Sequence, residues 1–218
     1  LALDVANLGG MYAGKIQLIG TESGVGVRNA GTLGAQAGSV TLSADGHIEN
    51  SGTINASEDI QVSGRALNNS GTLYAGRDTR ASVSGQLNND GMVVAARHTS
   101  ARAGEINSSK NAVFGGGVKT DGRLGESGDL DLTSTGKLAS HGQNMAAGKL
   151  TLQAADIDLS DSQTSAAEVA LTTQGTLNND RGTVSAHSGD LTLTSSQLSN
   201  SGGTLYAGRD MHASVSGQ

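Results

Sequence analysis

Residues 67–86 read LNNSGTLYAGRDTRASVSGQ, and residues 198–218 read LSNSGGTLYAGRDMHASVSGQ, a near copy 131 to 132 positions later. Self-similarity of this kind is resolved before single elements are assigned, because a repeat sets the whole architecture. Aligning on a hydrophobic residue followed by Asn two places on, then Gly, Thr and a second hydrophobic residue gives VRNAGTL from 27, IENSGTI from 48, LNNSGTL from 67 and LNNDGMV from 87. The intervals are 21, 19 and 20 residues, and LNNDRGTV from 177 and LSNSGGTL from 198 lie 21 apart. Degenerate copies fall near Ile106, Leu138 and Ile157. The second half of each unit is a short alternating strand: SVTL (39–42), DIQV (59–62), DLDL (129–132), KLTL (149–152) and DLTL (190–193).

Periodicity inside one unit decides its shape. Leu67, Asn69, Gly71, Leu73, Ala75, Ala81, Val83, Gly85 and Leu87 share one parity, which is the period of a strand. Three short strands separated by Gly, Asn and Asp turns would return the chain to its start one layer higher. The predicted fold is all-β, a parallel β-solenoid of about ten coils of about 20 residues, built on strands about 4.8 Å apart and so roughly 45 Å long.

Composition agrees with a thin core of small aliphatic side chains. The 218 residues contain 33 glycines, no proline, no cysteine and only four aromatic residues, with 35% hydrophobic content. The glycines are expected at corners that need positive φ. A net charge of −6 gives no global reason to expect nucleic acid or an anionic membrane. No apolar run reaches the length of about 18 residues needed to span a bilayer. Absence of cysteine excludes disulfides and thiol chemistry. Beginning at Leu1 and ending at Gln218, where the earlier copy runs on into LNND, the chain reads as one β-helix segment, 1–218, of a longer protein, so absent targeting signals say nothing about location.

The one polar residue on the inward parity is the asparagine at Asn29, Asn50, Asn69, Asn89, Asn179 and Asn200. An unpartnered buried amide costs about 1 to 3 kcal/mol, whereas amides stacked coil on coil bond one another and the turn backbone. An asparagine ladder at a corner is therefore expected, with a polar binding stripe as the alternative. Ser108, Ser140 and Asp161 are expected to take its place in the middle coils.

These asparagine-containing units resemble the repeats of filamentous haemagglutinin. Residues 7–30, NLGGMYAGKIQLIGTESGVGVRNA, are similar to a segment common in large two-partner-secretion exoproteins. The resemblance covers essentially the whole chain, more weakly from 107 to 170. It implies a right-handed β-helix, export through an outer-membrane partner pore, a place on the bacterial surface, and service as a shaft or adhesive surface. Adhesins and the toxin-delivering filaments of contact-dependent growth inhibition both belong to that family. The cysteine-free composition suits passage of an unfolded chain through a pore.

A polysaccharide-cleaving parallel β-helix is the alternative function. The nearest carboxylate pairs, Asp129 with Asp131 and Asp156 with Asp158, are co-facial, but the alternation turns them outward on a flat sheet. His47, His98, His141, His187 and His212 lack ligand spacing, no GGxGxD repeat occurs, and GVGVRN (24–29) opens no helix. No catalytic, metal or cofactor residue is assigned, and no cofactor is expected.

Two features depart from a plain rod. Tyr12, Tyr74, Phe114 and Tyr206, in MYAG, LYAG, VFGG and LYAG, are expected to point outward on one sheet, either as good strand formers partly covered by a loop or as a contact stripe for a partner or glycan. From 65 to 123, eight basic residues stand against four acidic ones, a local +4 in a chain of −6. There Ile106 and Leu138 are 32 residues apart with GGGVKTDG between them, so residues 107–128 are expected to form an irregular coil with a loop or hairpin insertion. Arg97, Arg102, Lys110, Lys119 and Arg123, with Tyr74 and Phe114, are the expected contacts for a receptor or anionic glycan on another cell.

Overall fold

In a computed structural model, which describes residues 3–5 and 9–217, the chain is all-β with no helix among the described residues. Among the described residues thirty strands form three parallel sheets of ten, and each sheet takes every third strand in chain order. The first sheet runs from Leu3–Asp4 and Val27–Asn29 to Gln197–Ser199, the second from Gly10–Ala13 to Thr204–Ala207, and the third from Ile16–Gly20 to Met211–Val215. The product is a β-solenoid of ten coils.

Register follows the repeat. Ile48, Leu67, Leu87, Ile106, Leu138, Ile157 and Leu177 stack in one column of the first sheet, each 1% exposed or less. In the second sheet, Ala56, Ala75, Ala95, Gly116 and Ala146 form a column of small residues. Because like stacks on like, the narrow interior fills mainly with aliphatic side chains, with Phe114 as the aromatic exception.

The asparagines lie two places beyond the leucine column. Asn29 Nδ2 donates to Asn50 Oδ1 at 2.8 Å, Asn50 to Asn69 at 2.8 Å, Asn69 to Asn89 at 2.9 Å, and Asn179 to Asn200 at 2.7 Å. The same amides reach backbone carbonyls across the corner, as Asn69 does to Gly71 and Met92. Two buried oxygens in these runs find no partner, Asn29 Oδ1 and Asn179 Oδ1. Both head a run of amides. The column positions before them hold Val5 and Leu159, which have nothing to donate.

Leu159 corrects one expectation. It, and not Asp161, occupies the ladder column in its coil, fully buried, while Asp161 is exposed with φ of 58°. Arg181 (φ 57°) and Gly202 (φ 65°) take the same left-handed corner position in the next two coils. That extra corner residue is why LNNDRGTV and LSNSGGTL are one longer than LNNDGMV. Arg181 donates to Asp161 from Nε at 2.8 Å and Nη2 at 3.0 Å, which holds the Asp161 carboxyl below the usual range. In the middle coils the polar column changes sheet: Ser108 and Ser140 share a hydrogen bond, Ser140 Oγ donates to Asn144 Oδ1 and Asn144 Nδ2 to Thr164 Oγ1.

The corner glycines also differ from expectation. Positive φ occurs at Gly9, Gly24, Gly117, Gly122, Gly128 and Gly202, but not at Gly52, Gly71 or Gly91 of the Asn-x-Gly corners. Lack of space requires glycine there. A Cβ at Gly71 would stand 1.9 Å from the carbonyl oxygen of Gly52 in the preceding coil.

A second ladder, not foreseen, runs along the corner leading into the third sheet. The Asp59 N–H donates to Ser39 Oγ, Asp78 N–H to Asp59 Oδ1, His98 N–H to Asp78 Oδ1, Asp129 N–H to His98 Nδ1 and Lys149 N–H to Asp129 Oδ1, all within 3.1 Å. Each acceptor satisfies the backbone one coil on, which accounts for the aspartates opening DIQV and DLDL.

Candidate functional site

The insertion lies between the strands Val113–Gly116 and Leu130–Ser134. Residues 117–125 fold into a small hairpin: Val118 bridges Leu124 antiparallel, Lys119 N–H donates to the Arg123 carbonyl at 2.7 Å, and Gly122 N–H donates to the Lys119 carbonyl at 2.9 Å. The KTDG turn supports this locally, since Gly122 sits at φ 84° and Asp121 Oδ1 accepts the Arg123 N–H.

The hairpin lies over the outer face of the second sheet and is fastened there. Val118 is 1% exposed and covers Val94, and a Cβ on Gly115 would stand 2.6 Å from its Cγ2. The Tyr74 hydroxyl donates to the Val118 carbonyl at 3.0 Å. Burial beneath the hairpin, and then the nearby Asp121 charge, raise the Tyr74 phenol above its ordinary range, so it stays a donor. Tyr74→Phe removes that one bond and should make hairpin opening easier by about 1 kcal/mol. Hydrogen exchange should then quicken at the amides of Lys119 and Gly125 and stay unchanged in the Leu67 and Leu87 strands; equal protection in both proteins would refute the fastening.

Phe114 is a correction. It is fully buried and points inward, in register with Leu73 and Val93 below and Asn144 above. VFGG pairs with MVVA, which pairs with TLYA, and the register falls one position from the one the aromatic residues suggest, so Gly115 stands in Tyr74's outward column and Phe114 in Leu73's inward one. Phe114 therefore cannot touch a partner. Tyr12 and Tyr206 are outward and exposed, at 64% and 52%.

The basic residues do not form one patch. Arg102 lies on the outer face of the third sheet, Lys110 in the corner between first and second sheets, Arg97 in the corner between second and third, and Lys119 and Arg123 on the hairpin. Arg97 also stands 3.8 Å from Asp78, a carboxylate that Arg80 approaches to 2.9 Å. Among the described residues Arg102, Lys110, Lys119 and Arg123 make no ion pair. Lys119 and Arg123 alone share an element.

Asp131 and Asp156 face outward, as the alternation requires. One group escaped sequence reasoning: the ligand atoms of Asp190, Asp210 and His212 lie within 4.8 Å of one another. Asp190 Oδ1 is already engaged there, accepting the Asp210 N–H at 3.2 Å and facing Arg209 Nε at 3.5 Å. Asp210 and His212 are two places apart on the chain, and only coil stacking brings Asp190 to them, so spacing along the chain does not reveal the group. Beside the inner ladder an outer one runs from Asn107 to Asn88 to Asn68, with donor distances of 3.1 and 2.8 Å.

Beside the hairpin, a groove of about 690 Å³ runs along the second sheet from Tyr12 to Tyr74, with Thr32, Gly34, Asn55 and Thr72 on its floor and Val118, Lys119 and Thr120 on its rim.

The haemagglutinin-repeat family matches the chain over residues 1–52, 37–142, 115–186 and 177–218. Toxin CdiA of Yersinia pestis is 42% identical over 216 residues, 99% of this chain and 6% of that protein. The tRNA nuclease CdiA-2 of Burkholderia pseudomallei is 35% identical over 214 residues, 97% of this chain and 7% of that protein. The 16S rRNA endonuclease CdiA of Enterobacter cloacae is 29% identical over 227 residues, 99% of this chain and 7% of that protein. The chain thus spans only a small fraction of the length of these relatives, and no solved structure matches it. The repeat, the ten-coil solenoid and the matches together place the chain in the haemagglutinin-repeat family of secreted bacterial cell-surface exoproteins.

Proposed function

We propose that this chain is a shaft segment of a large contact-dependent growth inhibition exoprotein, exported through an outer-membrane partner pore and holding a distal toxin or adhesive module away from the cell. The observation that carries this is a stack of ten coils among the described residues, joined by three continuous parallel sheets and reinforced along parts of its length by side-chain ladders. Such a stack transmits reach while each coil contacts mainly its neighbours. The same repeat segment matches relatives named for a tRNA nuclease and a 16S rRNA endonuclease, which supports a role common to proteins of different activity.

Reach can be tested by deletion in a displayed exoprotein carrying this segment and a distal epitope. Excising residues 67–86 joins Ala66 to Leu87 in register and should leave epitope display intact. Excising 67–76 removes half a coil and should abolish it. Equal display after both deletions would sink the shaft reading.

Adhesion is the finer part of the proposal, and its contact is the hairpin edge with Lys119 and Arg123, facing an anionic glycan or receptor on a neighbouring cell. Lys119→Glu with Arg123→Glu should weaken attachment of the 218-residue chain to cells at low salt by about tenfold, and salt should weaken the wild type likewise. Arg102→Glu and Lys110→Glu, on other faces, should do little. Failure of the wild-type chain to attach at low salt would leave only the shaft.

A further inference from the structure

We propose that the groove between Tyr12 and Tyr74 is a binding site for a short uncharged oligosaccharide. Three features of its floor converge on that chemistry. The Tyr12 ring lies down over glycines: a Cβ on Gly34 would stand 2.9 Å from its Cδ1, and one on Gly10 2.8 Å from its Cε2. The ring is thereby seated with one face on backbone and the other free, and the residue is 64% exposed. A flat, bedded and exposed aromatic face matches the apolar C–H face of a pyranose, and it loses little entropy on binding because its own position is already set by the sheet.

Asn55 supplies the polar half. It is the next rung beyond Gly34, is exposed, and its side-chain amide makes no hydrogen bond within the described residues. One carboxamide offers two donors and an acceptor, the set that vicinal hydroxyls require. Tyr74 closes the far end one rung on, its hydroxyl engaged by the hairpin, so its position is fixed too. Three rungs at about 4.8 Å put the tyrosines ~14 Å apart, room for a short oligosaccharide and too long for a single sugar.

Charge argues for a neutral ligand. Among the described residues Lys119 is the only cation lining the groove, and Asp121 lies close enough to the same end to raise the Tyr74 phenol. The two offset each other. Binding here is thus distinct from a salt-sensitive attachment through the hairpin edge, and either can fail without the other.

The test uses the 218-residue chain with a panel of neutral oligosaccharides built on glucose, galactose, mannose and N-acetylglucosamine, read by saturation-transfer NMR and calorimetry at low and high salt. At least one should bind with little salt dependence. Tyr12→Ala should weaken it by about tenfold or more. Gly34→Val, which lifts the ring from its bed, should weaken it comparably with the β-sheet spectrum unchanged. Tyr206→Ala, in the same outward column but outside the groove, should have no effect.

Binding by no member of the panel would overturn the proposal, as would equal losses at Tyr12 and Tyr206. Affinity that falls with salt and with Lys119→Glu but survives Tyr12→Ala would assign the ligand to the hairpin edge and remove it from the groove. Concentration-dependent dimers abolished by Tyr12→Ala would make the groove a contact between copies, and the sugar reading would fall.

Discussion

Replacing Gly71 with alanine should destabilise the solenoid by about 3 kcal/mol, although alanine is ordinarily the better residue for an ordered backbone. The added methyl would meet the Gly52 carbonyl oxygen at 1.9 Å. It cannot turn away, because both atoms belong to backbone that is pinned on each side by ladder bonds: Gly71 N–H donates to Asn50 and Thr72 N–H to Gly52. Relief requires the coils to separate, and separation strains every bond across that interface. Gly14→Ala is the matching control. Its Cβ would have nothing within 4 Å, and its φ is not in the left-handed region, so the change should be neutral or slightly stabilising. Urea midpoints for the two variants measure the contrast. A Gly71→Ala protein within about 0.5 kcal/mol of wild type would show that the coils are not packed at this spacing.

Asn69→Ala should cost about 2 to 3 kcal/mol. The side chain donates to Gly71 and Met92 carbonyls and to Asn89 Oδ1, and accepts from Asn50, while only 2% exposed. Alanine leaves those buried donors and acceptors short of partners inside a closely packed column. Asn68→Ala is the informative comparison, one residue away and outward. It loses the single bond accepted from Asn88 on the half-exposed surface, where water substitutes, so the cost should stay under about 0.5 kcal/mol. Equal losses at the two positions would show that the inward parity is misplaced. The chain already tolerates an apolar residue in the column at Leu159, yet the price is visible as an orphaned Asn179 Oδ1 in the next coil. Interior positions of a run have amides on both sides to lose, which is why Asn69 is the sensitive site.

Parity and the repeat of about 20 residues determined the solenoid, its number of coils and the inward place of the asparagines. These are legible because every coil repeats the same local choice, so copies correct one another, and burial on a strand requires only a period of two. The position of a long insertion was readable for the same reason, as a gap between Ile106 and Leu138.

Tertiary structure decided what depends on neighbours a coil away. Phe114 reads as outward by its likeness to the tyrosines and is inward because the corner at 109–112, two residues longer than the 90–91 corner beneath it, sets Phe114 and not Val113 level with Val93. Asp161 resembles a polar substitute in the ladder and instead occupies a left-handed corner, where Arg181 of the next coil meets it. The basic residues between 65 and 123 are close in sequence, yet a coil turns through three faces in about 20 residues, so most of them point apart. Only the stack brings Tyr12, Asn55 and Tyr74 onto one groove, and only it sets Gly71 against Gly52. Sequence records which residues recur; which backbone oxygen lies beneath a given Cβ depends on the register between coils, and no single coil contains that information.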